Sequence, residues 1–406
     1  MTAAPGRRRV VVTGIGVIAA PGKTRQQFWQ SLIQGESAIG PLTLVPPGLL
    51  RFTNAAEVAD FDPTEHIVEK ELVFLDRFAQ FAMVAAMEAL GDHPAIAGER
   101  SAVVTGTSIG GQDTMDRGFQ NLYGKNITRV HPFSIPRIMA SSATSAIATR
   151  WGVTGPSYSV STACASATHA IGQAFWMVRD GITDCAITGG AEASLSLGSL
   201  KGWEAIRLVA PDTCRPFSRD RKGLIVGEGA AMMVLETLQS AQSRGAKIWG
   251  EIAGFGMSSD AHHLTQPLAE GAARAMRAAL ADTGIPASEI GYINAHGTGT
   301  TVNDVTEAAA IHQVFGERAS RIPVSATKSM HGHAIGASGA LEAAATLMAL
   351  DSGIIPPTAN FSEADPECAL DVVPNHARHV QVEWAMSNSF AFGGLNAVLV
   401  FRRWTG

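Results

Sequence analysis

The chain has 406 residues, of which 46% are apolar and only 17% are charged. Disordered chains are rich in charge and poor in apolar residues, so this composition excludes a disordered chain. It also allows a large buried core. Acidic residues outnumber lysine and arginine, 36 to 31, which gives a formal net charge of −5 at pH 7. The chain therefore has no surplus of positive charge to attract nucleic acid, and we expect no such partner.

Two stretches raise the question of a membrane segment. Three arginines precede the apolar run 10–20, in the manner of a signal peptide, and residues 151–178 carry no formal charge. β-Branched residues and two glycines in the first stretch favour a strand, while glycines and Pro156 make the second a poor membrane helix. We predict no membrane span.

The four cysteines are Cys164, Cys185, Cys214 and Cys368. None belongs to a C-x-x-C pair, so neither a zinc knuckle nor a thioredoxin-type motif is present. Scattered cysteines in a large chain are typical of a reducing compartment, and we expect a cytoplasmic protein.

In chain order, short β-branched runs alternate with alanine-rich segments of helical periodicity. The predicted strands are 10–12, 102–105, 158–161, 185–188, 232–235, 248–253, 291–294, 322–325, 384–388 and 397–401. The predicted helices are 78–90, 165–179, 271–283, 303–315 and 339–350. This alternation favours an α/β fold with largely buried sheets.

No proline- or serine-rich linker divides the chain, yet two halves open in the same way. A strand followed by a glycine-rich turn occurs at 12–16 and again at 252–256. We therefore predict two halves of similar architecture, residues 1–251 and residues 252–406.

Cys164 is the cysteine that most resembles a nucleophile. It lies between a predicted strand and a helix, where the helix dipole would lower the pKa of the thiol and free backbone N–H groups could hold an oxyanion. An inert buried cysteine is the alternative, since free cysteines are often buried.

His296 also follows a strand-like run and is flanked by glycine and threonine, so it could act as an acid, a base or a donor. The alternative is a surface histidine in a turn.

A third motif, 325–336, contains Lys328, His331 and His333. The two histidines could bind metal, but no third ligand is apparent, and we expect no metal site. Lys328, His333 and Glu342 are more typical of a network that tunes protonation, although a helix entry with an ion pair has the same pattern.

A fourth motif, 387–396, is uncharged and glycine-rich. Gly393 and Gly394 would let the backbone approach a ligand, and Phe392 could act as a movable gate. A tight hairpin is the alternative.

Residues 106–110 match G-x-S-x-G after a strand, so a serine hydrolase using Ser108 is a rival interpretation. It leaves Cys164 and the other glycine-rich loops without a role. Gly14 and Gly16 lack the third glycine of a dinucleotide-binding motif.

Taken together, four motifs resemble the β-ketoacyl-[acyl carrier protein] synthases, condensing enzymes of the thiolase superfamily. They are Thr162-Ala163-Cys164-Ala165-Ser166, Asn294-Ala295-His296-Gly297-Thr298-Gly299-Thr300, Lys328-Ser329-Met330-His331-Gly332-His333 and Asn388-Ser389-Phe390-Ala391-Phe392-Gly393-Gly394. Residues 256–263 are similar to the type II elongating subgroup, and 212–218 with 370–375 to nodulation-type enzymes of rhizobia.

The resemblance implies an αβαβα thiolase fold with two duplicated halves, in a homodimer. It implies Cys164 as nucleophile in the first half and His296 and His333 as catalytic histidines in the second, supported by Lys328 and Glu342. Further roles are implied for contacts to substrate: Thr298 and Thr300 for the phosphopantetheine arm, Ile109 for the acyl pocket, Phe392 for gating and the oxyanion hole, and Gly393 beside it.

The implied reaction is decarboxylating condensation of an acyl-enzyme with malonyl-[acyl carrier protein], without cofactor or metal. The partner would be an acyl carrier protein. Two alternatives stay open: a polyketide or nodulation-factor ketosynthase working with a chain-length-factor-like second subunit, and a partner subunit without chemistry. His331, Leu395 and Trp203 depart from the family pattern or lie near its acyl tunnel, so the preferred chain length is open.

Overall fold

The computed structural model describes residues 7–91 and 96–406. The strands are β1 (Val10–Ala19), β2 (Gly40–Pro41), β3 (Asn54–Ala55), β4 (Ser101–Gly106), β5 (Ser157–Val160), β6 (Cys185–Ala193), β7 (Glu228–Thr237), β8 (Gly250–Ser259), β9 (Ile290–Asn294), β10 (Pro323–Ser325), β11 (Ile354–Ile355), β12 (Asp371–Val372), β13 (Arg378–His379), β14 (Trp384–Ala391) and β15 (Leu395–Arg402). The α-helices are α1 (Arg25–Gln34), α2 (Glu69–Leu72), α3 (Arg77–Leu90), α4 (Gln112–Phe119), α5 (Ser134–Ile138), α6 (Ser142–Trp151), α7 (Ser166–Arg179), α8 (Leu197–Ile206), α9 (Leu238–Ser243), α10 (Ala269–Thr283), α11 (Thr301–Phe315), α12 (Lys328–His331) and α13 (Ser338–Ser352).

The main sheet has the strand order β12-β10-β9-β14-β15-β8-β1-β7-β6-β4-β5. It contains one pattern twice. In the first copy β5, β4 and β6 are parallel, and β7 and β1 continue antiparallel. In the second copy β10, β9 and β14 are parallel, and β15 and β8 continue antiparallel. The predicted duplication is confirmed; the division at residue 251 stays a prediction.

The two copies meet where β1 pairs with β8, from Val10 opposite Ile252 to Val12 opposite Gly250. Helix α3 covers the first copy on its outer side, against β1, β6 and β7, and α10 covers β8 and β15 of the second. Helices α7 and α13 contact each other and strands of both copies, so they form the layer between. The result is the five-layered αβαβα arrangement expected from the sequence.

Helix α13 is buried around its whole circumference, from Ser338 to Leu350. A helix that is apolar on all faces belongs in a core rather than at a surface. Glu342 is the one charged residue in that stretch, and it is fully buried. The fold therefore carries a carboxyl group into the middle of the molecule, where the site lies.

The glycines of β1 allow α3 to lie directly on the strand. A Cβ atom on Gly16 would stand 1.9 Å from the carbonyl oxygen of Ala85, and one on Gly14 would stand 1.9 Å from that of Ala89. Side chains at these positions would push the helix off the sheet.

The sequence predicted the long helices of both halves but not α1, α4, α6 or α8. Polar and aromatic residues break the helical periodicity of these segments, and caps define α1: Thr24 accepts from the Gln27 N–H, and Gly35 ends the helix with φ 71°. Among the described residues, no helix is both long and apolar enough to cross a membrane.

Replacing Gly16 with alanine is expected to lower the free energy of unfolding by about 2 to 3 kcal/mol, because the added methyl group meets backbone atoms that cannot move aside. Urea unfolding of Gly16→Ala measures the effect. Gly202→Ala, in exposed α8 with no atom within 4 Å of the new Cβ, is the matched control and should be neutral or stabilising by up to about 1 kcal/mol. Equal stability of the two variants would contradict close packing of α3 on β1.

Candidate active site

Cys164 lies in a short turn, Ala163–Ala165, between β5 and α7. Its neighbour Ala163 has a φ of 48°, a left-handed conformation that L-residues rarely adopt outside functional turns. Cys164 is only 6% exposed, and its own N–H and that of Phe392 are directed at the sulfur. Two backbone donors from different halves of the fold thus converge at the thiol.

Burial raises the pKa of the Cys164 thiol to about 11. The charge of Lys328 and the two backbone N–H groups lower it only in part, and the carboxyl group of Glu192 raises it further. The sequence-based prediction of a lowered pKa at the helix start is therefore wrong for the resting protein, because desolvation of the sulfur outweighs its donors. The resting group is a thiol that needs a proton acceptor.

Two imidazole rings face this sulfur. Nε2 of His333 is 3.2 Å from Cys164 Sγ, and its Nδ1 is 2.8 Å from Ser338 Oγ. The rings of His296 and His333 meet edge to face with centroids 5.5 Å apart. Burial, reinforced by the charge of Lys328, holds the pKa of both histidines well below the ordinary value. Both rings are therefore neutral at physiological pH.

Lys328 is buried completely and is paired with Glu342. Its Nζ donates to the carbonyl oxygen of His296 at 2.6 Å and contacts Nδ1 of the same residue at 3.2 Å. A donor at Nδ1 leaves the proton of the neutral ring on Nε2, which faces the cavity. Burial raises the pKa of Glu342 to about 7, against the opposing effect of Lys328.

Glu307 of α11 also belongs to the site, and the sequence motifs did not predict it. Its carboxylate accepts the N–H groups of His296 and Gly297, each at 2.8 Å, and Nδ2 of Asn388 at 3.2 Å. It therefore holds the backbone that carries His296. The sequence does contain one indication of this role, because Asp304 and Glu307 are spaced i, i+3 in an otherwise nearly uncharged helix.

The three reactive groups open into a cavity of about 330 Å³. Its walls include Thr298, Thr300, Trp203 and Phe392. The two threonine hydroxyls are 2.9 Å apart, and the rings of Trp203 and Phe392 stack with centroids 6.3 Å apart. The cavity thus combines hydroxyl groups on one wall with an aromatic pair on another.

Gly393 and Leu395 belong to the loop behind Phe392. Gly393 has a φ of 83° and donates to the carbonyl oxygen of Leu264 at 2.7 Å. Leu395 begins β15, directly after the loop. These contacts join the two walls of the cavity mouth.

Ile109 does not line this cavity in the single chain; it is 54% exposed. Between residues 109 and 139 eight large apolar side chains are exposed, and we call them the apolar ridge: Ile109, Met115, Phe119, Tyr123, Ile127, Val130, Ile135 and Met139. Exposed apolar side chains in such number are typical of a protein–protein interface.

His331 points away from the reactive groups. It is fully buried, its Nε2 is 3.0 Å from Thr327 Oγ1, and its ring lies 6.0 Å from that of Phe28. The pairing of His331 with His333 as metal ligands is therefore not what the structure shows.

Cys164, His296 and His333 do have ligand atoms within 4.8 Å of one another. The ammonium group of Lys328 lies 3.2 Å from His296 Nδ1 and opposes a second cation at that place. The donor set alone could hold a soft metal, but its electrostatic setting does not favour one.

Ser108 has a different role from a hydrolase nucleophile. Its backbone N–H donates to Glu192 at 2.6 Å, and its carbonyl oxygen accepts from Ser161 Oγ at 2.7 Å. Across residues 7–91 and 96–406, no hydrogen bond connects the Ser108 hydroxyl to a histidine, so the structure does not support the triad of the rival interpretation.

His331 should make the protein acid-labile. Burial lowers the pKa of His331 to about 3, so the unfolded chain binds a proton at a higher pH than the folded chain does. The contribution of neutral His331 to the free energy of unfolding is therefore complete above about pH 6.5 and is lost as the pH falls toward 3. By about pH 5 the loss from this group is about 2 kcal/mol. Urea unfolding at neutral and acid pH should show a smaller loss for His331→Gln than for the unchanged chain, and equal losses would contradict this assignment.

Comparisons with known proteins cover nearly the whole chain. Residues 7–241 match the family model for the β-ketoacyl synthase N-terminal domain, and residues 249–362 match that for the C-terminal domain. The chain is 44% identical over 400 residues to nodulation protein E of a Rhizobium species, covering 98% of this chain and 99% of that one. It is 42% identical over 410 residues to 3-oxoacyl-[acyl-carrier-protein] synthase 2 of Synechocystis, with the same coverage.

A solved structure, the ishigamide ketosynthase/chain length factor, superposes with a TM-score of 0.93 at 39% identity, covering 98% of this chain and 100% of that one. The sequence resemblance is thus confirmed over nearly the whole length. The chain belongs to the β-ketoacyl synthase family.

Proposed function

We propose that the chain condenses an acyl group held on Cys164 with malonyl-[acyl carrier protein], releasing CO2 and a 3-oxoacyl-[acyl carrier protein]. The observation that carries this is the meeting of one thiol, two neutral imidazoles and two backbone N–H donors in a single buried cavity. A cavity walled by hydroxyl-bearing and aromatic residues suits a pantetheine arm and its acyl chain.

In the first half-reaction, Cys164 attacks the acyl thioester. Its proton passes to Nε2 of His333, 3.2 Å away. The N–H groups of Cys164 and Phe392 hold the tetrahedral oxyanion, and each such donor is worth about a hundredfold in rate. As the sulfur–carbon bond to Cys164 forms, the bond to the carrier thiol breaks, and His333 returns the proton to that thiol.

In the second half-reaction, malonyl-carrier loses CO2 and leaves a thioester enolate. His296 donates from Nε2, because Lys328 occupies its Nδ1. His333 also donates from Nε2 when the Ser338 hydroxyl, which can donate or accept, donates to its Nδ1. Neutral donors stabilise the enolate oxygen without protonating its carbon, so the carbon attacks the acyl group. Cys164 leaves as a thiolate and regains a proton from solvent.

The acyl carrier protein is the partner this chemistry requires, and a reducing compartment is where four free cysteines persist. We therefore place the protein in the cytoplasm. A second copy of the chain would cover the apolar ridge and bring Ile109 into an acyl pocket.

A second candidate is a ketosynthase that works with a chain-length-factor-like subunit in a specialised pathway. The likeness to the ishigamide ketosynthase/chain length factor favours it, and the relatives named for nodulation and for 3-oxoacyl synthesis are almost equally similar. Light scattering on the isolated chain separates the two, because a homodimer covers its own ridge, whereas a monomer needs a second subunit.

The chain with acyl- and malonyl-carrier protein should yield a 3-oxoacyl product two carbons longer than the acyl primer. Cys164→Ala should form no acyl-enzyme and should lose the condensation rate by at least about a thousandfold, since the covalent route is removed. Mass spectrometry of the protein and of the carrier measures both.

Ser108→Ala is the matched control and should keep the acyl-enzyme, because the hydroxyl has no contact with the reactive groups. A hydrolase would show the opposite pattern, with esterase activity lost in Ser108→Ala and kept in Cys164→Ala. No product at any chain length with intact carrier protein would refute the condensing function.

Trp203 should limit the acyl chain. Replacing Trp203 with alanine removes the ring that stacks on Phe392 and widens the cavity, so the preference should shift toward longer primers. The ratio of kcat/KM for long and short primers should rise about tenfold, the usual effect of opening an apolar pocket. Trp203→Phe should stay close to the unchanged chain, and an unaltered ratio in Trp203→Ala would place the limit elsewhere.

A further inference from the structure

A buried carboxyl group outside the proposed mechanism lies beside the nucleophile. Glu192, near the end of β6, is fully buried. Its contacts are hydrogen-bond donors from the backbone and from uncharged side chains rather than basic groups. Burying a carboxylate without a cation costs desolvation free energy, which only well-placed hydrogen-bond donors can offset.

The donors come from both halves of the fold. Oε2 accepts the N–H of Ser108 at 2.6 Å and that of Gly336 at 3.1 Å. Oε1 accepts the Thr107 hydroxyl at 3.2 Å and the Gln112 amide at 3.4 Å. One carboxylate therefore ties the loop after β4 to the turn before α13.

Each of these segments leads to a group that the reaction uses. The loop after β4 continues to Ile109, the predicted acyl-pocket residue. The turn 335–337 leads to Ser338, whose hydroxyl contacts Nδ1 of His333. Space between them is minimal, since a Cβ on Gly336 would lie 2.3 Å from the Ser108 nitrogen and 2.4 Å from Glu192 Oε2.

We propose that Glu192 is a positioning residue for the condensing reaction: its ionised carboxylate clamps the acyl-pocket loop to the turn that orients His333, and its protonation loosens that clamp. The inference rests on the proposed function for its catalytic readout. An ionised carboxylate accepts from all of these donors, whereas a protonated one carries an O–H group that must itself donate.

Burial raises the pKa of Glu192 to about 7, against the lowering by the N–H groups of Ser108, Ile109 and Gly336. The clamp is thus complete above about pH 7 and weakens as the pH falls through it. Its negative charge also raises the pKa of Cys164.

Charged and titratable groups on the elements packed against β6 have partners of their own. Glu228 of β7 pairs with Arg77 of α3, and Glu88 of α3 pairs with Arg25 of α1. Glu342 of α13 pairs with Lys328 of α12, and His169 of α7 contacts Thr162. Asp184 and Cys185, at the far end of β6, contact Arg100 and Ser101. The charge of Glu192 instead acts on Cys164, whose pKa it raises.

Glu192→Gln replaces the carboxylate with a neutral group of the same shape and should move two rates in opposite directions. Condensation above about pH 7 should fall about tenfold or more, because a clamp is lost that places His333. Alkylation of Cys164 by iodoacetamide, located by peptide mass spectrometry, should rise about threefold, because a like charge near the sulfur is gone. A structural defect that exposes the sulfur would raise alkylation at every pH alike, whereas loss of the charge should move the pH profile of alkylation to lower pH.

The pH profile supplies the second readout. The unchanged chain should lose condensation on the acid side of about pH 7, whereas Glu192→Gln should be flat there. Glu88→Gln is the matched control: it neutralises a partly buried carboxyl group that binds the backbone of Val17 and Arg25, and both rates should stay within about twofold of the unchanged chain.

Thr107→Val keeps the proposal testable if Glu192→Gln does not fold. It removes one donor to the Glu192 carboxylate. The fall in condensation on the acid side should therefore occur at a pH about half a unit higher. The proposal is overturned if Thr107→Val leaves the acid-side fall in condensation at the same pH. It is also overturned if folded Glu192→Gln leaves alkylation and condensation unchanged. Alkylation needs no substrate, so a chain that never forms a 3-oxoacyl product refutes the function while the effect of Glu192 on Cys164 is still measured.

Discussion

The burial of the reactive groups around a single ammonium group sets their protonation. Lys328 lies where the two halves meet, and water cannot solvate it there. Such a charge is tolerable only with a partner, which Glu342 supplies from the all-apolar helix α13. Burial is the main reason why the pKa of His296 and of His333 lies well below the ordinary value, and the charge of Lys328 lowers both further. The same charge opposes only in part the rise that burial causes in the pKa of Cys164. Two neutral imidazoles beside a thiol follow from this burial and this charge together.

The fold explains why the motifs of the second half converge. β10, β9 and β14 are parallel neighbours, and the segments with Lys328, His296 and Phe392 each leave from the same end of one of them. Side chains at the carboxyl ends of adjacent parallel strands share one edge of a sheet. The sequence shows three strand-like runs, each followed by a polar motif. Most of this site could therefore be predicted from the sequence.

Other features could not be predicted in this way. The pKa of Cys164 depends on how deeply the second half covers it, which no local pattern encodes. Glu192 and Glu307 look like ordinary acids in the sequence, and their importance comes from backbone donors brought by distant segments. The resemblance implies an acyl-pocket role for Ile109, but in one chain its side chain is exposed and does not line the cavity.

Cys164 and His333, whose side chains meet in the cavity, are separated by 169 residues along the chain. Without the second half, Cys164 would have no His333 acceptor, no Lys328 charge and no N–H donor from Phe392. Assistance to its acylation therefore requires both halves of the fold. Because closing a loop over such a span costs conformational entropy, the chemical competence of Cys164 depends on the complete tertiary structure.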